Sequence, residues 1–398
     1  MASTAVAYEN DAHPYDRLQA VIDTTVRTHA ERNDRESRFP TETIAALAGS
    51  GWTGVLNAPH HGGLGLGLVD FAEAAYRIGQ ADASTGLIYV MHVGAAQTIN
   101  LYGTDDQKER WLRDSRGAAL GTYSCSERAS GGHWWFNFSQ AGRDGPDYVI
   151  NAEKSFTTSA GHADFYILQT RSPDAKDQGD ITFFIVDGKA PGITPGPWTA
   201  LGVRANHSGA LRYEGVTVQA RDRLGTENQG KEIIYNGLSP VYLIGLGSVW
   251  EGVARGVLDK AIAHTQGFVH KDKNKSLSEY QAIRQEIAAA KVLVESLGPW
   301  RRHLATQLDA LWRAGKPQSE LLIALTEFKV HAAEVANKAA AAALTVTGGY
   351  GYGAGPIERA FRDARAAIAM GPSNVLARDW IGKAVFGQPL ELFYEGGE

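Results

Sequence analysis

In the first third of the chain, apolar residues recur at helical spacing. Pro40-Thr41-Glu42-Thr43 opens a short helix through Ile44, Leu47 and Ala48, and Gly51 ends it. A glycine-rich loop, His60-His61-Gly62-Gly63-Leu64-Gly65-Leu66-Gly67, follows. Asp70 is then placed to cap a helix with Phe71, Ala74, Ala75 and Ile78 on one face. Ser84 to Leu101 is apolar on nearly every side, which predicts a buried helix with Ser84 as N-cap. Thr104-Asp105-Asp106 starts another, with Trp111 and Leu112 near its end.

The period changes after Leu120. Tyr148-Val149-Ile150, Phe165 to Leu168, Ile181 to Val186 and Ala210 to Tyr213 are short β-like runs, separated by Gly, Asp and Pro. From about Glu227 the pattern is helical again. Leu243 to Gln266, Leu277 to Leu304 and Pro317 to Leu344 are long and apolar on one side, and Gly298-Pro299 predicts a kink in the second. The basic run His270 to Lys275 falls between two of these helices and reads as a solvated loop. The pattern predicts an α+β fold in three parts: a helical domain over 1–118, a small antiparallel β-domain over 119–228, and a helical bundle over 229–398.

Composition narrows the class. The 398 residues are 43% hydrophobic and 21% charged, as in ordinary globular proteins. A net charge of −5 gives no reason to expect nucleic acid or an anionic membrane as partner. No apolar run reaches the roughly 20 residues that span a bilayer, and Met1 to Pro14 lacks the pattern of a signal peptide. These features point to a cytoplasmic protein. The single cysteine, Cys125, rules out an internal disulfide and a multi-cysteine zinc site, and no metal is expected.

Several motifs then fall in a telling order. Gly62 to Leu66 with Asp70, Ala81-Asp82-Ala83-Ser84-Thr85, Tyr123 to Gly132, Lys154 to Asp164, Leu201-Gly202-Val203-Arg204, and Gly348-Gly349-Tyr350-Gly351-Tyr352 followed by Arg362-Asp363-Ala364 resemble the acyl-CoA dehydrogenase superfamily over nearly the whole chain. The resemblance implies a helical domain, a central antiparallel β-barrel and a C-terminal four-helix bundle. It also implies an FAD held between subunits of a homotetramer or homodimer. A flavin needs hydrogen bonds at its ring edge, an apolar wall and a partner for its phosphates. By resemblance, Tyr123, Ser124, Cys125 and Ser126 form the first flavin loop, with the Ser126 hydroxyl at the ring. Phe156, Thr157 and Thr158 form the second. Gln281, Gly348, Gly349 and Asn374 complete the cofactor contacts. The family's phosphate-binding Arg and its Gln fall here on Phe268 and Thr345. That departure admits FMN, or reduced FMN or FAD supplied by a separate flavin reductase.

The family's catalytic Glu is replaced as well. Its two known places fall on Met370 and Tyr242, which leaves these residues as substrate contacts. A thioether accepts no proton at neutral pH, so the usual α-proton abstraction lacks a base. Two enzyme readings follow. One is a flavin monooxygenase of the dibenzothiophene monooxygenase type, with His92 and Ser126 near the reacting centre. The other is an atypical dehydrogenase or desaturase whose base is Tyr242, Glu251 or His133. The run His133-Trp134-Trp135 puts bulk into a normally small loop, so a reshaped pocket is expected, with a small-molecule or thioester substrate. A non-catalytic scaffold is the third reading.

Overall fold

The computed structural model describes residues 13–113, 119–390 and 392. The expected domain end at 118 and most of the stretch from Met1 to Pro14 lie outside them. The N-terminal helices are α1 (Pro14–Val21), α2 (Arg27–Glu36), α3 (Thr41–Gly49), α4 (Leu68–Ala81), α5 (Ala83–Tyr102) and α6 (Asp105–Lys108). Two expected caps move by a turn or less. Asp70 is inside α4, where its carboxylate takes the Gly67 N–H at 3.0 Å. Asp82, not Ser84, caps α5 and accepts from Thr85 N at 2.8 Å. A carboxylate reaches the free N–H groups of a helix end more strongly than a hydroxyl does.

The β-region carries β1 (Gly121–Ser124), β2 (Gly142–Asp144), β3 (Asp147–Thr157), β4 (Phe165–Arg171), β5 (Ile181–Asp187), β6 (Ile193–Pro195), β7 (Gly209–Val218) and β8 (Arg223–Leu224). The expected barrel is not what forms. The strands make two open sheets, ordered β1-β4-β5-β8 and β2-β3-β7-β6. Strands β2, β6 and β8 are only two or three residues long, so pairing stops at the sheet edges. Register shifts between β3 and β7 bend that pair further. One pairing, β1 with β4, is parallel. The sheets pack face to face through Tyr148, Ile150, Tyr166, Leu168, Phe184, Leu211 and Tyr213. The other face of β4 and β5, with Phe165, Ile167, Phe183 and Ile185, packs among residues of α5 such as Ala95 and Ile99. Burial on both faces explains why these two strands read as unbroken apolar runs.

After α7 (Gly230–Glu232) and a π-turn comes the long α8 (Ser239–Gly267). The basic run forms the hairpin β9 (Val269–His270) and β10 (Lys275–Ser276). The bundle continues with α9 (Gln281–Glu295), α10 (Leu297–Arg313), α11 (Leu322–Thr347), α12 (Gly349–Tyr352), α13 (Pro356–Ala369) and α14 (Asn374–Val385). The predicted kink is a break at Ser296, just ahead of Gly298-Pro299. Helix α8 is the axis of the molecule. A Cβ at Gly252 would fall 2.2 Å from the Tyr76 carbonyl, so α4 and α8 touch backbone to backbone. Among the described residues, the segment Gly230–Gly267 is long and apolar enough to cross a membrane, but 83% of its apolar window is buried against the rest of the fold.

Candidate active site

Strand β1 ends at Ser124, and the chain turns through Cys125, Ser126 and Glu127. A buried ion pair holds that turn. Lys154 Nζ lies 2.8 Å from Glu127 Oε1, with side chains 0% and 5% exposed. The ammonium also donates to the carbonyls of Cys125 at 3.2 Å and Gln169 at 2.5 Å. Burial pushes Glu127 up, but Lys154, the Ser139 hydroxyl and the Phe138 N–H bring it below its ordinary value. Burial lowers Lys154, and Glu127 opposes that shift. Sequence reasoning missed this pair. The signal was there: Tyr148, Ile150, Ala152 and Lys154 alternate along β3, so Lys154 occupies an inward position.

Ser155 N donates to the Ser126 carbonyl at 2.8 Å, which lays Ser126 beside Phe156. Phe156 has φ of +55°, a left-handed conformation costly for an aromatic residue, and its side chain is 73% exposed. The edge of Trp198 faces it at 6.5 Å. The Ser126 hydroxyl joins no hydrogen bond among the described residues. The two residues form an outward shelf of one ring and one free hydroxyl. Their neighbours turn inward. Tyr123 Oη lies 2.8 Å from Thr98 Oγ1. Ser124 Oγ accepts from Tyr213 at 3.0 Å and sits 3.4 Å from Thr157 Oγ1. Thr158 Oγ1 meets Ser208 at 2.9 Å. The Cys125 thiol is buried, and burial pushes it up to about 12.

Met370 ends α13, and Tyr242 lies on α8. Trp134 packs against Tyr242 and against Gly371, the residue after Met370. Its ring centre is 6.4 Å from that of Tyr242, and a Cβ on Gly371 would fall 2.9 Å from Trp134 Cδ1. Trp135 crosses Trp134 at 83° and packs on Trp380 at 5.2 Å. Exposed His133 stacks on Trp135 at 5.1 Å. What remains is a cavity of about 10 Å³, lined by Trp134, Ser239, Tyr242, Leu322, Trp380 and Leu392 among others. That is room for about one water. Burial pushes the Tyr242 phenol well above its ordinary range. Beneath Met370, Lys329 is fully buried. Its Nζ donates to the carbonyls of Met370 at 3.0 Å and Pro372 at 2.8 Å, and to Asn374 Oδ1 at 3.0 Å. Burial brings Lys329 down to about 7. Asn374 is thus engaged inside the fold. Lys329 was also missed, although a lysine beside Leu325, Phe328 and Ala332 breaks an apolar face.

Other candidates stand apart. The Nδ1 of His92 accepts from Gly121 N at 2.9 Å, and burial holds the ring neutral, down to about 4. It braces the start of β1. Glu251 points the other way from the cavity: Arg301 Nε donates to it at 2.8 Å and also reaches Glu73 at 2.8 Å. Gln281 and the Gly348-Gly349 pair lie on the bundle surface. A run of ring contacts joins their neighbours, Tyr350–His264 at 3.9 Å, His264–Phe268 at 5.7 Å, Phe268–His270 at 5.6 Å and His270–Tyr280 at 5.5 Å. No hydrogen bond or ring contact links this group to Phe156 among the described residues.

This arrangement can be set beside known proteins. Family models for the acyl-CoA dehydrogenase N-terminal, middle and C-terminal domains match residues 13–116, 122–216 and 244–386. A short-chain-specific acyl-CoA dehydrogenase of Clostridium acetobutylicum is 29% identical, over 90% of this chain and 96% of its own. An NADH-dependent acryloyl-CoA reductase of Anaerotignum propionicum is 30% identical, over 84% of each chain. Among solved structures, the dibenzothiophene monooxygenase TdsC of Paenibacillus sp. A11-2 superposes with a TM-score of 0.84 at 20% identity, covering 95% of this chain and 98% of its own. Its FMN-bound form gives a TM-score of 0.86. At that identity the likeness is one of fold. The family models and the curated relatives carry the assignment: the chain belongs to the acyl-CoA dehydrogenase superfamily.

Proposed function

We propose that this oxidoreductase holds a flavin on the Ser126–Phe156 shelf and uses it in a monooxygenase reaction, without proton abstraction by a carboxylate. The observation that carries this reading is the occupancy of the base position: Trp134 packs between Tyr242 and Gly371, the residue next to Met370, and among the described residues no carboxylate lines the cavity there. The residues present fit a flavin. Phe156 offers an exposed ring face, and Ser126 offers an unengaged hydroxyl. When bound, the flavin supplies two-electron redox chemistry and, once reduced, reactivity toward O₂. The chain supplies the rest. Glu127 and Lys154 fix the turn that carries Ser126. Trp134, Trp135 and Trp380 exclude water from the space beside Tyr242.

The dehydrogenase reading finds no base here. The Tyr242 phenol is pushed up by burial, Glu251 is claimed by Arg301, and His133 lies exposed on the outer side of Trp135. Gln281, Gly348 and Gly349 sit away from the shelf, which suits a homotetramer or homodimer in which a second copy brings them to the cofactor. Phe268 and Thr345, standing where the family has Arg and Gln, favour FMN or a reduced flavin delivered by a reductase over tightly held FAD.

The test is to load the protein with reduced flavin and mix it with O₂ in a stopped-flow instrument. A transient absorbance distinct from both oxidised and reduced flavin is expected, with no anaerobic bleaching of the oxidised form by butyryl-CoA. Bleaching by the thioester with direct reoxidation sinks the reading.

A further inference from the structure

Glu251 has no part in the flavin site, yet it borders a second cavity, separate from the one beside Tyr242. That cavity holds about 260 Å³ and lies where α4 and α8 meet the break between α9 and α10. We propose that it binds a small α-amino acid, with the ammonium of the ligand on Glu251 and its carboxylate on Arg302. The proposal goes beyond the monooxygenase reading and does not depend on it.

Three observations support it. The first is an unused oxygen at the floor. Glu251 is 5% exposed, and Arg301 Nε donates to its Oε2 at 2.8 Å. Among the described residues nothing donates to its Oε1. That oxygen faces the cavity: a Cβ built on Gly298, which lines the space, would lie 3.4 Å from it. Burial raises the Glu251 carboxyl above its ordinary value, with Arg301 opposing. An ammonium delivered to Oε1 favours the ionised form and supplies the donor that the buried oxygen lacks.

The second is a free cation at the rim. Arg302 is exposed, and among the described residues no hydrogen bond or ion pair engages its guanidinium. Its Nη1 would lie 3.6 Å from the same Gly298 Cβ. Glu251 and Arg302 thus flank one empty position without pairing across it. The other charges that line the cavity are committed. Arg255 pairs with Asp259 and Glu295, and Glu73 pairs with Arg77 and Arg301. One acceptor inside and one donor outside match a zwitterion whose two charged groups share a carbon. The third is a floor already in place. Arg301 bridges Glu251 and Glu73 and lies 4.7 Å over the Tyr76 ring, and the Gly252 contact keeps α4 and α8 at a fixed spacing. A site built before the ligand arrives loses less on binding.

L-Alanine and three relatives test the assignment. N,N,N-Trimethyl-L-alanine keeps the charge and loses the N–H donors, ethylamine lacks the carboxylate, and propionate lacks the ammonium. Each is titrated calorimetrically into the full, flavin-loaded chain at neutral pH. L-Alanine is expected to bind once per chain, and each relative at least about tenfold more weakly. Arg302→Gln is expected to weaken L-alanine about tenfold and to abolish most of its advantage over ethylamine. Glu251→Gln, which keeps an acceptor for Arg301, is expected to abolish most of the advantage over propionate. Arg302 is exposed, so its variant and the ligand series carry the test even where Glu251→Gln fails to fold. Absence of L-alanine binding overturns the proposal. So does ethylamine or propionate binding as tightly as L-alanine, which would make this a plain cation or anion site. An Arg302→Gln chain that binds L-alanine like wild type overturns it as well. No readout involves turnover or O₂, so failure here and failure of the monooxygenase reading are separate results.

Discussion

Lys154 and Lys329 are both completely buried, and they meet the cost of burying a charge in different ways. Lys154 faces a carboxylate; Lys329 faces two backbone carbonyls and an amide oxygen. Lys154→Met strands the Glu127 carboxylate in the interior, at a cost of about 3–5 kcal/mol. The measurement is the urea midpoint, and adding Glu127→Gln to the same chain is expected to recover part of the loss. Lys329 behaves otherwise because its pKa is down to about 7 in the folded chain, against about 10.4 when unfolded. Between those values the unfolded chain binds more protons, so stability rises with pH, by at most about 1.4 kcal/mol per pH unit. Lys329→Met is expected to flatten that rise. Thermal midpoints of both proteins from pH 7 to 10 test it, and parallel curves would refute it. Neither lysine was legible as buried from composition. Only its position on an alternating strand or an apolar helix face gives either away.

At the scale of elements, the period of apolar residues was enough to place β3, β4, β5, β7, α8 and α11. It did not give pairing. The parallel match of β1 with β4 and the opening of the sheets depend on short edge strands, whose few residues carry no periodic signal. The joint between the bundle and the sheets was equally hidden. Asp363 on α13 accepts the Val203 N–H at 2.6 Å, and Val203 stands at φ of +47°. One carboxylate thus holds a strained turn of the β-region from the middle of a helix. Burial raises Asp363 to about 7, with Arg359 and the Val203 N–H opposing. A carboxylate raised above its unfolded value of about 3.9 loses stability for the fold as pH rises between the two values. Asp363→Asn keeps an acceptor and removes that loss, so it is expected to be at least as stable as wild type at pH 8. Asp363→Ala leaves a buried N–H unpaired and is expected to cost about 1–3 kcal/mol. Chemical denaturation at pH 5 and pH 8 separates the two. An alanine variant as stable as wild type would mean that the turn holds itself.

For the whole molecule, the order helical, β, helical was visible because the apolar period switches twice along the chain. What fills the site was visible only in part: Tyr242 on α8 and the bulk of Trp134 in its loop were expected there, whereas Trp380 from α14 and Leu392 from the tail were not, because they converge from distant places. On the proposed reading, Met370 at the family's Glu position is one part of a larger change. Restoring a carboxylate alone leaves the indole of Trp134 against Gly371 and the cavity at about 10 Å³, too small for an acyl group. Met370→Glu by itself is expected to give no dehydrogenation of butyryl-CoA. Lys329 donates to the Met370 carbonyl, so the new residue would have an ammonium nearby, which favours the ionised carboxylate. Met370→Glu combined with Trp134→Gly supplies both the base and the space, and is expected to show thioester-dependent reduction of an electron-accepting dye under anaerobic conditions, where wild type and each single variant show none. Equal rates for Met370→Glu with and without Trp134→Gly would mean that the tryptophan does not guard the site. Inactivity of the double variant, with flavin still bound, would place the site's departure from dehydrogenation deeper than these two side chains.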